Sequence, residues 1–234
     1  MSSYEYIGSE LNVFALAVNW KRYFAQLIRP FLHGHVLEVG AGIGETTLAL
    51  WRPGLGQWTA LEPDARMAKG LRSLAFPGGT HPEVVVGDIG SIDPTAQFDT
   101  IVYIDVLEHI HDDARQLEQA ARRLAPGGHL IVLSPAYQAL YSAFDRAIGH
   151  ERRYTRHSLE AAFPSTLVRV KTFYADAVGM LLSFANSLIL RQSLPSRRQI
   201  LFWDRVVIPL SRRLDPLVGR RFGRSVIAIY RKER

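Results

Sequence analysis

The sequence contains no cysteine. That removes disulfides and thiolate metal sites, and it excludes every mechanism built on a cysteine nucleophile. A chain without cysteine sits naturally in a reducing compartment, so a cytoplasmic protein is expected. Long apolar runs are missing as well. The longest, from Ala175 to Leu190, is interrupted by Asp176, Ser183, Asn186 and Ser187, and is too short and too polar to span a bilayer. The opening MSSYEYIGSE has no basic segment followed by an apolar one, so no signal peptide is predicted. Internal repeats and low-complexity tracts are also lacking.

What is present is a globular composition. The 234 residues are 47% hydrophobic and 21% charged, which fits one α/β domain with an elaboration. The net charge of +6 is unevenly spread. Residues 191–234 hold 12 Lys and Arg against 3 Asp and Glu, a local excess of +9 that leaves the other 190 residues at −3. Such asymmetry implies an anionic partner or surface, or else an Arg-rich solvated helix face.

Glu10–Leu32 has a helical pattern, with Leu11, Phe14, Trp20, Phe24, Leu27, Ile28 and Phe31 on one side. Short apolar runs then alternate with helical stretches. Strands are expected at His35–Val39, Gln57–Leu61, Glu83–Val86, Phe98–Ile104 and His129–Leu133, with helices near Glu45–Trp51, Ala65–Leu74 and Asp113–Leu124. Pro53-Gly54, Pro77-Gly78-Gly79 and Pro126-Gly127-Gly128 are the strongest stops. This alternation means βαβ units and a parallel sheet covered on both faces. A helix at Ser158–Phe163 and strands at Leu167–Tyr174 and Ser225–Arg231 complete the pattern. The chain therefore divides, within one domain, into an N-terminal helical cap (1–34), a cofactor-binding core (35–135), a substrate lid (136–165) and a basic amphipathic helical insertion (175–223).

The run VLEVGAGIGETTLAL reads as strand, glycine turn and helix. Gly40, Gly42 and Gly44 permit a tight turn and close approach of a ligand to the backbone around Ala41. A dinucleotide fingerprint needs G-x-G-x-x-G, whereas this loop is G-x-G-x-G with Glu45 where the third glycine would fall. A carboxylate at a helix start opposes a pyrophosphate. It does not oppose S-adenosylmethionine, which has no phosphate and carries a positive sulfonium, and Glu38 suits the same cation. Glu62, beside Pro63, ends the second strand where an acid can accept bonds from ribose hydroxyls, and Asp88 after the third strand is placed to meet an adenine amino group.

VLEVGAGIG, LEPD, GDI, FDTIVYIDVLEHI and LAPGGHLIVLSPA, in this order and spacing, resemble the successive motifs of class I S-adenosylmethionine-dependent methyltransferases, especially the small-molecule group called type 11. The resemblance covers roughly residues 35–135. It implies a Rossmann-like seven-stranded sheet of order 3-2-1-4-5-7-6 with strand 7 antiparallel. It also implies that Gly40, Gly42 and Gly44 line the methionine end of the cofactor, that Glu62 holds the ribose, and that Asp88 and Ile89 frame the adenine. Asp105 and Val106, at the end of strand four, stand where the reacting atoms meet.

Methyl transfer needs alignment of the nucleophile and, for a hydroxyl, removal of its proton. His109, His150 and Asp145 are the candidate catalytic group, with His109 the attractive base because an ordinary imidazole titrates near ~6.5. Packing at the start of the next helix is the alternative role for His109. Asp105, Glu108 and His109, with His150 as a further ligand, also resemble the metal cluster of some ubiquinone-pathway O-methyltransferases. Because that short signature is common in proteins without metal, no metal is expected. Tyr137, Tyr141, Arg153 and Tyr154 fall in a segment placed to contact the acceptor, where arginines bind a carboxylate or phosphate or else hold a lid closed. Its D-x4-H-x-R-R-Y pattern resembles bacterial methyltransferases of surface-glycan and secondary-metabolite pathways. The basic insertion fits three roles: an interfacial helix on an anionic membrane at its inner face, a cap on the pocket, or a homodimer contact.

The expected reaction is therefore methyl transfer to an O or N nucleophile of a small molecule, lipid- or glycan-linked in one version. A nucleic-acid methyltransferase is the alternative, given the Arg-rich tail. Strand four lacks the Pro-Pro-aromatic motif that grips a flipped base, and pyrimidine carbon-5 methylation needs the missing cysteine, which leaves RNA ribose methylation. A nicotinamide-dependent oxidoreductase is opposed by the glycine spacing. A non-catalytic cofactor-binding scaffold is the remaining possibility.

Overall fold

The computed structural model describes residues 10–52, 54–189 and 195–233. Among them, seven strands form one sheet of order β3-β2-β1-β4-β5-β7-β6. They are β1 (Val36–Val39), β2 (Trp58–Glu62), β3 (Glu83–Val86), β4 (Phe98–Ile104), β5 (Leu124–Pro135), β6 (Leu167–Ala175) and β7 (Ser225–Lys232). β7 runs antiparallel to both β5 and β6, and the remaining pairs are parallel. The sheet order and the strand 7 direction are those implied by the motif resemblance.

Each strand of the sheet centre is apolar on both faces because both faces are covered. Leu37, Leu61, Ile101, Tyr103, Leu130 and Val132 pack on one side against α5 (Asp113–Arg122) and α7 (Arg156–Ala162). Their neighbours Val36, Ala60, Val102, Ile104, Ile131 and Leu133 point the other way, as strand alternation requires. That second face is covered by the N-terminal helices α1 (Glu10–Phe14) and α2 (Val18–Ile28), with the glycine-loop helix α3 (Glu45–Leu50) beside them. α4 (Ala65–Arg72) connects β2 to β3, and the short α6 (Ala143–Ala147) belongs to the lid.

Two expected boundaries move for physical reasons. Pro126-Gly127-Gly128, expected to stop a helix before a strand, lies inside β5. There the pairing with β4 shifts register between Phe98 and Thr100, and a side chain at Gly128 would come within 3.0 Å of two backbone oxygens. The N-terminal helix, expected unbroken over Glu10–Leu32, is interrupted at Ala15–Ala17. Its second half gains a cap from far along the chain: the Asp204 carboxylate accepts from the backbone N–H of Asn19 at 3.2 Å and of Trp20 at 2.9 Å.

Asp204 belongs to the insertion between β6 and β7, which holds α8 (Ala177–Ile189), α9 (Arg197–Phe202), a π-helical turn (Trp203–Val207) and α10 (Ile208–Leu217). Buried aspartates fasten it. Asp215 accepts from the N–H groups of Asp176 and Ala177 and from the Tyr23 hydroxyl at 2.6 Å. Asp176 accepts from Gly179 N–H, the Ser211 hydroxyl and Trp203 Nε1. No helix among the described residues is long and apolar enough to cross a membrane.

Candidate active site

At the carboxyl ends of β1 and β4, where the strand order reverses, the sheet opens into a crevice, the usual ligand position in such folds. The glycine loop forms its floor. Gly40, Gly42 and Gly44 all have left-handed φ, at 72°, 56° and 85°. At Gly40 a Cβ would lie 2.6 Å from Val106, and at Gly44 2.5 Å from Leu74, so packing forbids side chains there. Gly42 differs. The nearest atom to its Cβ position is 3.9 Å away on Leu11, so this backbone faces open cavity. The loop is anchored by Gly40 and Ala41 N–H groups donating to Leu61 O, and by Gly42 N–H donating to Glu62 Oε2 at 2.7 Å.

The cavity above the loop measures about 220 Å³ and is lined by Gly40, Ala41, Gly42, Asp105, Glu108 and His109, among others. Its roof is the N-terminal pair of helices, with Leu11, Phe14, Trp20 and Lys21. Lys21 bridges Ala15 O at 2.9 Å and Glu45 at 2.6 Å, so the helix-start carboxylate is neutralised. A lysine within an otherwise apolar helix face was the sequence signal for that role. Asp105 sits in the left-handed region at φ 54°, held by its N–H to Leu133 O. Its side chain lines the cavity and is solvent-accessible, while desolvation by the surrounding protein raises its pKa to about 6 against the opposing pull of His150, Arg224 and Arg153.

The lid brings the predicted catalytic side chains together. Asp145 is fully buried, and its carboxylate accepts from His150 Nδ1 at 2.9 Å, Arg153 at 2.7 and 3.0 Å, and Ser142 N–H at 2.8 Å. Burial by itself works against ionisation, but the bonds from His150 and Arg153 hold this carboxyl below the usual range. His150 Nε2 faces Glu108 Oε1 at 3.7 Å, and the His109 ring meets the His150 ring edge-on at 4.6 Å. Glu108 is fully buried and accepts from the Ser134 hydroxyl; burial, with Asp105 nearby, raises its pKa well above normal. His109 is lowered to about 4 by burial, with His150 adding to the effect, so it is neutral at pH 7. Glu108, His109 and His150 present ligand atoms within 4.8 Å of one another.

The other sequence-derived candidates stand elsewhere. Glu38 is buried behind the loop, where one oxygen accepts from Thr47 and Trp58 and the other has no hydrogen-bond partner among the described residues; burial raises it to about 7. Glu62 ends β2 and accepts from Gly42 and Asp64 N–H groups, while Pro63 follows it. Asp88 is exposed at the end of β3 and caps the turn through Gly90 N–H, with Ile89 buried beside it. Val106 packs under Gly40. Of the residues expected to meet the acceptor, Arg153 lines the cavity but is tied to Asp145. The tyrosines hold the lid. Tyr137 stacks on Tyr174 at 5.0 Å, Tyr141 donates to His150 O, and Tyr154 donates to Asp113. Short sequence spacing grouped these residues, but their hydroxyls turn into the lid's own packing. Trp203 and Arg224, which sequence reading left among the basic tail, line the cavity instead.

A family model described as a methyltransferase domain matches residues 37–132. A ubiquinone biosynthesis O-methyltransferase from Paramagnetospirillum magneticum is 31% identical over 102 residues, 44% of this chain and 41% of that protein. A second one, from Xylella fastidiosa, is 31% identical over 105 residues, 44% of this chain and 42% of that protein. The chain thus spans about two-fifths of the length of these curated relatives. Among solved structures, the N-methyltransferase NodS from Bradyrhizobium japonicum, with S-adenosyl-L-homocysteine bound, superposes at TM-score 0.59 and 17% identity, covering 93% of this chain and 88% of that one. The methyltransferase solved with the Haloferax volcanii activator Trm112 gives TM-score 0.64 at 17% identity, covering 96% and 92%.

Proposed function

We propose that the chain, which a methyltransferase-domain model matches over residues 37–132, transfers the methyl group of S-adenosylmethionine to an oxygen or nitrogen of a small-molecule acceptor. One observation carries the reading: a single cavity is floored by the glycine loop and walled by His109 and His150. The loop fits the cofactor. Gly42 offers bare backbone to the cavity, and Glu45 with its Lys21 partner presents no anion site for a phosphate. Gly40, Ala41, Gly42 and Gly44 would hold the methionine end, with Asp105 and Val106 beside them. Glu62 would take the ribose, because a carboxylate has about four acceptor sites and only two are occupied. Asp88 and Ile89 would frame the adenine. When bound, the cofactor supplies a methyl carbon activated by a positive sulfonium.

His150 is the base in this reading. Ionised Asp145 takes its Nδ1–H, which leaves Nε2 as the acceptor for a proton from the substrate. Asp145 positions the ring, and Arg153 holds Asp145. Neutral His109 packs edge-on against the same ring. Changing His150 to Gln should lower kcat about 10²–10⁴-fold while affinity for S-adenosylhomocysteine stays within twofold. His109→Gln should cost less. A His150→Gln enzyme that keeps more than a tenth of wild-type kcat would sink this assignment. The Glu108–His109–His150 group favours a second reading, a divalent ion that polarises an acceptor hydroxyl. Activity that disappears on dialysis against EDTA and returns with Mg²⁺ or Zn²⁺ would select it.

The insertion supports contact with an anionic membrane surface. Phe202, Val206, Leu210, Leu214 and Leu217 follow one another at helical spacing along α9, the π turn and α10, all exposed, Leu217 at 81%. Arg198, Arg205 and Arg212 run at seven-residue spacing beside that stripe, are exposed, and make no ion pair with a described residue. Apolar anchors flanked by arginines suit a phosphatidylglycerol-containing surface, at about 1 kcal/mol per basic residue. Vesicles of that composition should bind the protein at low salt and bind it at least tenfold more weakly at 0.5 M NaCl. Leu217→Asp should weaken binding without shifting Tm. A doubled mass in sedimentation, lost in the same variant, would assign the stripe to a dimer instead.

A further inference from the structure

A second cavity, of about 350 Å³, lies between the lid and the insertion. It shares a wall with the first, made of Phe144, Arg153, Trp203 and Arg224. Its far side is apolar, with Leu182, Ile200, Phe202 and Val207. Leu182 and Phe202, exposed at 44% and 57%, stand where it meets the outer surface.

The charges on the shared wall are unequal. Arg153 is bound on two sides by Asp145, and across the first cavity Lys21 is bound by Glu45. Arg224 has no such hydrogen-bonded partner, although the carboxylates of Asp176, Asp145 and Asp105 act on it from further off. Its backbone N–H donates to Asp176 O, but its side chain forms no hydrogen bond or ion pair with a described residue. The guanidinium lies over the Trp203 ring at 5.0 Å, which fixes its plane. Leaving the donors of a half-buried guanidinium unfilled is costly, and its planar fork of five donors is matched to carboxylate and phosphate oxygens. β7 begins one residue later, beside the end of β5, so Arg224 stands on the side of the crevice away from Glu62 and Asp88.

We infer that Arg224 is the anion-binding residue of the acceptor site, and that the acceptor is an anionic amphiphile whose oxyanion sits on this fork while its apolar body fills the second cavity. This rests on the methyl-transfer reading. The atom to be methylated then points from the shared wall toward His150, and the mouth at Leu182 and Phe202 opens beside the exposed apolar stripe, where an amphiphile partitions.

The test uses the full chain saturated with S-adenosylhomocysteine and three probes of equal chain length, decanoate, decyl phosphate and decanol, titrated below their micellar concentrations by calorimetry. Both anions should bind at least tenfold more tightly than decanol. Arg224→Gln should erase that preference, Arg224→Lys should retain part of it, and S-adenosylhomocysteine affinity should stay within twofold in both. Leu182→Trp, at the exposed mouth, should weaken all three probes at least tenfold and keeps the test open if Arg224→Gln does not fold. A wild type that binds decanol as well as the anions overturns the inference, as does a preference that survives Arg224→Gln. A tenfold loss of S-adenosylhomocysteine affinity in Arg224→Gln also overturns it, since Arg224 would then serve the cofactor. Failure of wild type to bind S-adenosylhomocysteine at all would instead remove the methyl-transfer reading beneath it.

Discussion

Gly42→Val is expected to reduce S-adenosylhomocysteine binding more than 100-fold while leaving the fold assembled. The argument is local. Gly42 has φ 56°, a region that costs an ordinary residue about 1–2 kcal/mol and a β-branched one more. The protein itself leaves room, because the nearest atom to the new Cβ is 3.9 Å away. The isopropyl group therefore projects into the cavity that the cofactor needs, and each tenfold loss corresponds to about 1.4 kcal/mol of binding. Gly40→Val makes the contrast. There the Cβ would strike Val106 at 2.6 Å, so the damage falls on stability first. Calorimetric titration beside thermal melts separates the two; equal losses of Tm in both variants would show that Gly42 is a packing residue and not a ligand contact.

Asp145→Ala is expected to be the most destabilising single change in the lid, by about 3–5 kcal/mol, because it strands a buried Arg153 and the His150 imidazole without their shared acceptor. For a chain of this size that is a fall in Tm of about 6–20 °C. The pH dependence has a definite sign. The Asp145 carboxyl is held below its unfolded value, so its stabilisation is present above about pH 4 and is lost as pH falls through the folded pKa. Glu108 acts in the opposite sense. Its folded pKa is raised, so its contribution is complete below about pH 4.3 and is lost as pH rises through the folded value. Asp145→Asn keeps the shape and should flatten the acid limb of a stability-versus-pH curve while leaving the alkaline limb in place. An acid limb identical to wild type would show that other carboxylates set it.

Much of this molecule was legible in the sequence because its core obeys local rules. The glycine spacing, the strand-end acids and the apolar runs placed β1 to β4 within a few residues, since the central strands are covered on both faces and read as continuous apolar runs. The histidine and aspartate singled out in the lid meet at 2.9 Å. What escaped depends on long-range contacts. The break in the N-terminal helix at Ala15–Ala17 precedes a cap supplied by Asp204, and no window of neighbouring residues contains that carboxylate. The tyrosines were grouped by proximity along the chain, but a hydroxyl's direction is set by backbone turns such as the left-handed Tyr137 at φ 63°. Arg224 is one of 12 basic residues in the last 44, and only the folded chain shows that it lines a cavity wall with no side-chain hydrogen bond to a described residue.

The capping of α2 by Asp204 has a consequence in time. The acceptor oxygens for Asn19 and Trp20 lie about 185 residues downstream, and Tyr23 finds Asp215 across 192. A ribosome adding about 5–20 residues per second makes α2 wait roughly 10–40 s for its cap. Until then the helix that carries Trp20 and Lys21 lacks these bonds, while the glycine loop beneath it is already synthesised. The floor of the crevice is thus made early and its roof is fixed last, so the nascent chain is not competent to enclose a ligand until the basic insertion has left the exit tunnel.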